Sequence, residues 1–239
     1  TYLSADLAYH RNKLDRGFDT IINVWGADHH GYIKRIEATI EAMGYSKKQM
    51  QVQLVQFANL FENGSKVKMS TRSGNFYTLK QLIDDIGPDA SRFYYLSKQA
   101  DQHLDFDIGI ARSNSKDNLY YYIQYAHARI SSVEKKFLEL NQPLPKKFND
   151  VDFDECDELL QMALSAQFVI KSSGESLQPH LIIYYLRDIA QNFHQFYNNV
   201  NILNADEKHK NNIMRTLMIV KSVIASSFQL LGIEPLENM

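Results

Sequence analysis

Apolar positions along the chain change period twice. Ile21-Ile22-Asn23-Val24-Trp25 is a compact β-branched and aromatic run ended by Gly26, the signature of a buried strand. Ile33, Ile36, Ile40 and Met43 then repeat at helical spacing and stop at Gly44, a C-cap residue. A second strand is expected from about Val52 to Leu60, before an Asn63-Gly64 turn. Strand, helix and strand in that order predict a βαβ unit with parallel pairing. Residues 78–112 read as short helices: Thr78 and Gln81 make a capping box, and Gly87-Pro88 ends one helix and starts the next. From about 115 the pattern is helical throughout. Leu119, Ile123, Ala126, Ile130, Val133, Phe137 and Leu140 advance in steps of four and three, a single seam. After a loop from Asn141 to Asp150, a second helix is expected over 153–173, ending near Gly174. A third follows Pro179, with Ile182, Leu186, Ile189, Phe193, Phe196 and Val200 on its seam. The last carries Ile213, Leu217, Val220, Ile224, Phe228 and Leu231 and stops at Gly232. Four such helices predict an antiparallel α-helical bundle behind an α/β segment.

Composition adds limits. With 239 residues there is material for one large or two modest domains. A net charge of −2 excludes a broadly basic nucleic-acid binder, so any RNA contact must be a local patch. The lone Cys156 excludes an internal disulfide and a cysteine zinc cluster, and fits a reducing cytoplasm. No apolar run reads as long enough to span a bilayer, so no membrane partner is expected. The chain starts at Thr1, in mid-motif, and is expected to be the C-terminal portion of a longer protein.

Four residue groups could carry chemistry. Val67-Lys68-Met69-Ser70-Thr71-Arg72-Ser73-Gly74 gathers cations, hydroxyls and a glycine between a turn and a helix start. Such a loop suits polyphosphate: lysine is a mobile point charge, hydroxyl and backbone N–H groups donate, and glycine allows close approach. A solvated basic hairpin is the plainer alternative. Gly26-Ala27-Asp28-His29 stands where a parallel strand gives way to a helix, the usual ligand position in open α/β sheets. Asp28 could accept ribose hydroxyls there, or simply cap the helix. Tyr2 and Asp6 are four apart and share a helix face, which suits a planar guanidinium or an ordinary surface turn. Tyr122, Tyr125 and Arg129 form a stripe about a quarter-turn from the apolar seam. It could stack splayed RNA bases, or be half-buried packing. The histidines, His127 and His194 among them, show no metal spacing and read as structural.

The loop at 67–76 resembles the KMSKS signature of class I aminoacyl-tRNA synthetases. Four further stretches narrow the resemblance to the arginyl-tRNA synthetase family: Tyr2 to His10, Trp25 to Tyr32, Gly87 to Phe93 and Tyr121 to Arg129. They run in the family's order and cover most of the chain, down to Met239.

The resemblance implies the C-terminal half of a Rossmann-type catalytic domain with short connecting helices over 1–114, and a helical anticodon-binding domain over 115–239. It implies Tyr2 and Asp6 as arginine ligands, and Gly26, Asp28 and His29 around the ATP ribose and adenine. Lys68, Met69 and Ser70 would lie on the nucleotide, with Lys68 and Ser70 catalytic. Tyr122, Tyr125, Arg129 and Met239 would face tRNA. Thr71 stands where the signature has its second lysine, which leaves the source of that charge open; Arg72 follows at once. Tyr184-Tyr185-Leu186-Arg187-Asp188 takes the place of the DALR signature with two mismatches and is expected to pack. The implied activity is ATP-dependent arginine activation and transfer to tRNA(Arg), with Mg2+ arriving on the nucleotide, in a cytoplasmic monomer. This portion alone is expected to be inactive. The alternatives are a non-catalytic tRNA-binding module derived from such an enzyme, a cysteinyl-type synthetase needing zinc ligands, and a helical structural partner.

Overall fold

The structure is a computed structural model that describes residues 2–62, 64–67, 77–140, 142–149, 156–200, 202 and 205–239. By backbone proximity the chain forms two compact units, Thr1–Asn59 with Lys98–Asp105, and Leu60–Ser97 with Phe106–Met239.

The first unit is α/β. Helix α1 (Tyr2–Asp15) precedes β1 (Ile21–Gly26). A 3-10 turn (Ala27–Tyr32) leads into α2 (Ile33–Ala42), and a second short 3-10 turn leads into β2 (Met50–Val55). β1 pairs with β2 in parallel, Ile21 opposite Met50 and Gly26 opposite Val55, which is the expected βαβ unit. Gly44 closes α2 at φ 86°, and the Tyr45 N–H reaches back to the Ile40 carbonyl (3.1 Å). Leu14, Ile21, Ile36, Ile40 and Met50 are the core. Two expectations change here. β1 is buried on one face only, since Ile22 and Val24 point outward, Val24 being 68% exposed. The second strand is two: β2 stops at Val55, and β3 (Ala58–Glu62) follows a break at Gln56-Phe57. The Gln56 N–H leaves the ladder to donate to the Ala100 carbonyl (2.7 Å).

In the second unit β3 turns back into β4 (Ser65–Lys66), Phe61 opposite Lys66. Asn63 of the expected turn lies outside the described residues, while Gly64 has φ 76°. Thr78 and Gln81 form the expected capping box on α3 (Leu79–Ile86), and α4 (Pro88–Leu96) restarts after Gly87. The region read as purely helical also holds β5 (Leu104–Asp107), whose last residue caps α5 (Ile108–Arg112). The long helices are α6 (Leu119–Glu139), α9 (His180–Asn199) and α10 (Glu207–Leu230). The helix expected over 153–173 is instead α7 (Asp157–Leu164) and α8 (Ala166–Ser176), broken at Ser165 and closed at Leu177 with φ 55°. Residues 150–155 lie outside the described set.

Helix seams read from the pattern supply the core. Ile123, Ala126, Ile130, Phe137, Leu186, Ile189, Phe193, Leu217, Val220, Ile224 and Phe228 are all fully buried in one cluster. Leu140, counted on the first seam, is exposed because α6 has ended. α10 is long and apolar enough by composition to cross a membrane, contrary to the reading from sequence. Its apolar side, Ile213 to Phe228, is spent on the core.

Candidate functional site

The α/β unit gathers Asp6, Gly26, Asp28 and His29 around one turn. The 3-10 turn begins at the carboxyl end of β1, immediately after Gly26, and ends at Tyr32. Gly26 leaves room for the Asp28 side chain: a Cβ there would lie 2.5 Å from Asp28 Oδ1, so that carboxylate would have to move. The Asp28 carboxylate therefore folds back over the strand end. Asp28 is not an N-cap, because Gly26 holds that position and no side chain caps the turn. The α-helix starts only at Ile33, so the helix N-terminus expected beside Asp28 is replaced by this turn. His29 Nε2 is 3.8 Å from Asp28 Oδ2, both in solvent.

At the other end of the turn the Tyr32 hydroxyl donates to Asp6 Oδ2 (2.9 Å). Its pKa is raised by partial burial and then by the Asp6 carboxylate. Asp6 and Tyr2 share the α1 register, but the Tyr2 ring is 94% exposed. Behind Asp6 runs a buried polar chain. His10 Nδ1 must carry the proton, because it meets the Asp6 carbonyl (2.8 Å), which only accepts. His10 Nε2 then accepts from Asn23 Nδ2 (3.0 Å), and Asn23 Oδ1 accepts from Lys13 Nζ (3.0 Å). Lys13 Nζ stands 4.1 Å over the Tyr9 ring. Trp25 fills the space between, with its ring 6.5 Å from His10 and 5.9 Å from Tyr32. Sequence reading gave Tyr32, Asn23 and Lys13 no role. The only signal was that Asp6, His10 and Lys13 fall on one helical face.

Lys68, Met69 and Ser70 lie outside the described residues. The flanks of their segment are held: Gly64 N–H donates to Asp107 Oδ2 (2.6 Å), and Arg112 pairs with both Glu62 (3.1 Å) and Asp85 (2.6 Å).

In the helical unit Asn118 sets where α6 begins. Its Oδ1 accepts from the Tyr121 N–H (3.1 Å) and the Tyr94 hydroxyl (3.0 Å), and its amide donates to the Ala111 and Ser113 carbonyls. Tyr121, Tyr122, Tyr125 and Arg129 then line a groove of about 730 Å³ with Gln191, His194, Gln195 and Asn198. The aromatic groups largely occupy each other. Tyr125 stacks on Tyr121 (6.0 Å) and on His194 (5.8 Å), and Arg129 lies over Tyr125 (4.7 Å) and Tyr197 (4.4 Å). Arg129 also donates to the Tyr125 hydroxyl (3.1 Å). Tyr122 and Tyr125 are half-buried, and burial raises the Tyr122 pKa. His194, read as structural, forms the groove wall and donates from Nε2 to the Tyr122 carbonyl (3.2 Å). Burial and then nearby Arg129 hold its pKa below the usual imidazole value, against that hydrogen bond.

Met239 is placed by a strap that sequence reading missed. Gln124, fully buried, donates to the Glu234 carbonyl (2.8 Å) and accepts from the Leu236 N–H (2.9 Å). His127 Nδ1 donates to the Leu236 carbonyl (2.8 Å), Lys221 pairs with Glu237 (3.0 Å), and Lys135 donates to Asn238 (2.7 Å). Met239 thereby lines a second groove of about 450 Å³ with Tyr120, Tyr121, Asn114 and Arg112. Tyr121 and Asn114 border both grooves, which joins Met239 to the Tyr122–Tyr125–Arg129 stripe. At the DALR position, Tyr185 donates to the Met162 carbonyl (3.0 Å), Leu186 is fully buried, and Arg187 pairs with Asp188 (2.8 Å) in solvent.

Comparison with known proteins shows the class to which this pairing of a parallel βαβ unit and a helical unit belongs. Residues 123–239 match the DALR anticodon binding domain family. Along its whole length the chain is 41% identical to the arginine–tRNA ligase of Halorhodospira halophila, covering 42% of that protein. A solved structure from Campylobacter jejuni, assigned as an arginyl-tRNA synthetase, superposes with TM-score 0.89 at 36% identity, over 100% of this chain and 52% of that one. The fold also matches the Thermus thermophilus arginyl-tRNA synthetase, with TM-score 0.70 at 18% identity over 92% of this chain and 41% of that one. The chain belongs to the arginyl-tRNA synthetase family, of which it matches the C-terminal part; it spans about two fifths of the length of the curated relatives it matches.

Proposed function

We propose that this chain supplies the arginine and nucleotide sites, and the anticodon-binding domain, of an arginyl-tRNA synthetase. Residues 1–114 are then the C-terminal half of the Rossmann-type catalytic domain, and 115–239 an antiparallel helical bundle that binds tRNA(Arg). One observation carries the reading: a six-residue turn has Asp28 near its start and Tyr32, which holds Asp6, at its end. The two substrates would thus meet at the carboxyl end of a parallel strand, where ligands of α/β sheets bind. With no side chain at Gly26, the Asp28 carboxylate lies against the strand end, where it could accept from a ribose diol. Asp6 offers a carboxylate to a guanidinium, with Tyr2 open to solvent beside it. Lys68 and Ser70, with magnesium brought by the nucleotide, would hold the triphosphate. The arginine carboxylate attacks the α-phosphorus in line, giving arginyl-adenylate and pyrophosphate, and the arginyl group then passes to the tRNA 3′ end. The work of the protein is positioning and charge stabilisation.

The test is Lys68→Ala in the full-length protein. Adenylate formation is expected to lose about 2–4 kcal/mol of transition-state stabilisation, the scale of one preorganised charge donor. An unchanged ATP–pyrophosphate exchange rate rejects the assignment. Thr71 in place of the second lysine favours one other reading, a tRNA-binding module without catalysis. A full-length protein that binds tRNA but shows no exchange at all would establish it.

A further inference from the structure

We infer that Tyr32 is a positioning residue for the amino-acid substrate, one that fixes the Asp6 carboxylate for two-point pairing with a guanidinium. The inference rests on the reading of Asp6 as the arginine ligand and goes beyond it in naming what sets that ligand.

Asp6 is held at both ends. Its backbone carbonyl accepts from the His10 ring (2.8 Å), and its carboxylate accepts from the Tyr32 hydroxyl (2.9 Å). The ring of Trp25 lies between His10 and Tyr32, so the contacts close into a loop of four residues, through the backbone carbonyl of Asp6 on the His10 side. His10 is held on its far side by Asn23, which Lys13 holds in turn. An aspartate on a helix otherwise samples several rotamers. Here one oxygen is pinned from the β1 side.

The chemistry left over matches a guanidinium. A carboxylate has about four lone-pair sites, and the Tyr32 hydroxyl takes one. Among the described residues the other oxygen meets no hydrogen-bond donor, and Oδ2 keeps a second site, as a bidentate fork requires. Tyr32 is a neutral donor, so it orients the carboxylate without cancelling its charge. A lysine or arginine in its place would compete with the substrate.

Tyr32→Phe in the full-length protein tests this, with Asp6→Ala and the double variant beside it. For Tyr32→Phe, KM for arginine is expected to rise roughly tenfold or more, the scale of removing a hydrogen bond to a charged group. KM for ATP and the melting temperature should hold, and Tyr32→Phe should add little on top of Asp6→Ala. If Asp6→Ala raises KM for arginine and Tyr32→Phe does not, the inference falls while the arginine site stands. If neither moves it, the arginine site itself is wrong, and the inference goes with it. A Tyr32→Phe variant that melts early and weakens arginine and ATP alike shows a merely structural tyrosine and also overturns the inference.

Discussion

The two units differ in proportion. The helical unit has a large apolar core in which Phe93, Phe137, Phe193 and Phe228 are fully buried, with buried polar groups such as Gln124, His127 and Thr216 among the helices. The α/β unit has five fully apolar core residues and a polar chain, His10–Asn23–Lys13, in the same interior. It also leaves Ile22 and Val24 on its outer face. Apolar packing is non-directional and tolerant of shape, whereas a buried hydrogen-bonded chain works only when every partner is in place. The helical unit therefore invests in stability, and the α/β unit in holding a few atoms where substrates would lie.

The largest expected effect breaks the stable side of that contrast. Phe193→Ala should cost about 3–5 kcal/mol, because the side chain leaves a cavity among packed helices. Circular dichroism melting of the helical signal reads it. A loss under about 1 kcal/mol, which is far below the range for burying such a ring, would mean the core is not close-packed.

Gly26→Ala probes the precise side. The added Cβ meets only a carboxylate end, which can move, so stability should change little. KM for ATP should rise by a factor equivalent to about 1.5–3 kcal/mol, the worth of a hydrogen bond to a charged group. Unchanged ATP kinetics with a lowered melting temperature would make Gly26 a packing residue.

Tyr125→Ala sharpens the comparison, since its ring serves the fold and faces a groove. With loss of one base stack, tRNA binding should weaken by roughly 1–3 kcal/mol while ATP affinity holds. Early melting with intact tRNA affinity would show instead that Tyr121, His194 and Arg129 are its only partners.

The smallest effect is in pH. The His194 pKa is lowered in the fold, mainly by burial, so the unfolded chain binds the proton more readily. Stability is then complete above the ordinary imidazole value of 6.5 and is lost as pH falls below it, toward the depressed folded value. His194→Gln should flatten the dependence of melting temperature on pH over that window. An unchanged slope would assign the acid sensitivity to other groups.

Periodic features were legible in the sequence. The seams of α6, α9 and α10, the Thr78–Gln81 box, the Gly87-Pro88 restart and the parallel βαβ order all follow from local spacing. Breaks without a local signal were not. β2 ends at Val55 because a residue far along the chain accepts the next N–H, that of Gln56, and α7 ends at Leu164 with no glycine or proline. The candidate residues came from type and spacing together with the family resemblance, but their partners did not. His10 looked like one more histidine until its ring met Asp6 and Asn23, and Tyr32 lies 26 residues from the carboxylate it holds. The C-terminal strap was invisible for the same reason: Gln124 and Leu236 are 112 positions apart.

The central claim is that one turn joins an arginine site to a nucleotide site in a chain that also carries its own tRNA reader. Charging of tRNA by the full-length protein, with arginine set against the other amino acids, tests it most directly. The expected result is ATP-dependent attachment of arginine alone, abolished or severely slowed by Asp6→Ala. Charging with a different amino acid, or arginine charging indifferent to Asp6, would contradict it.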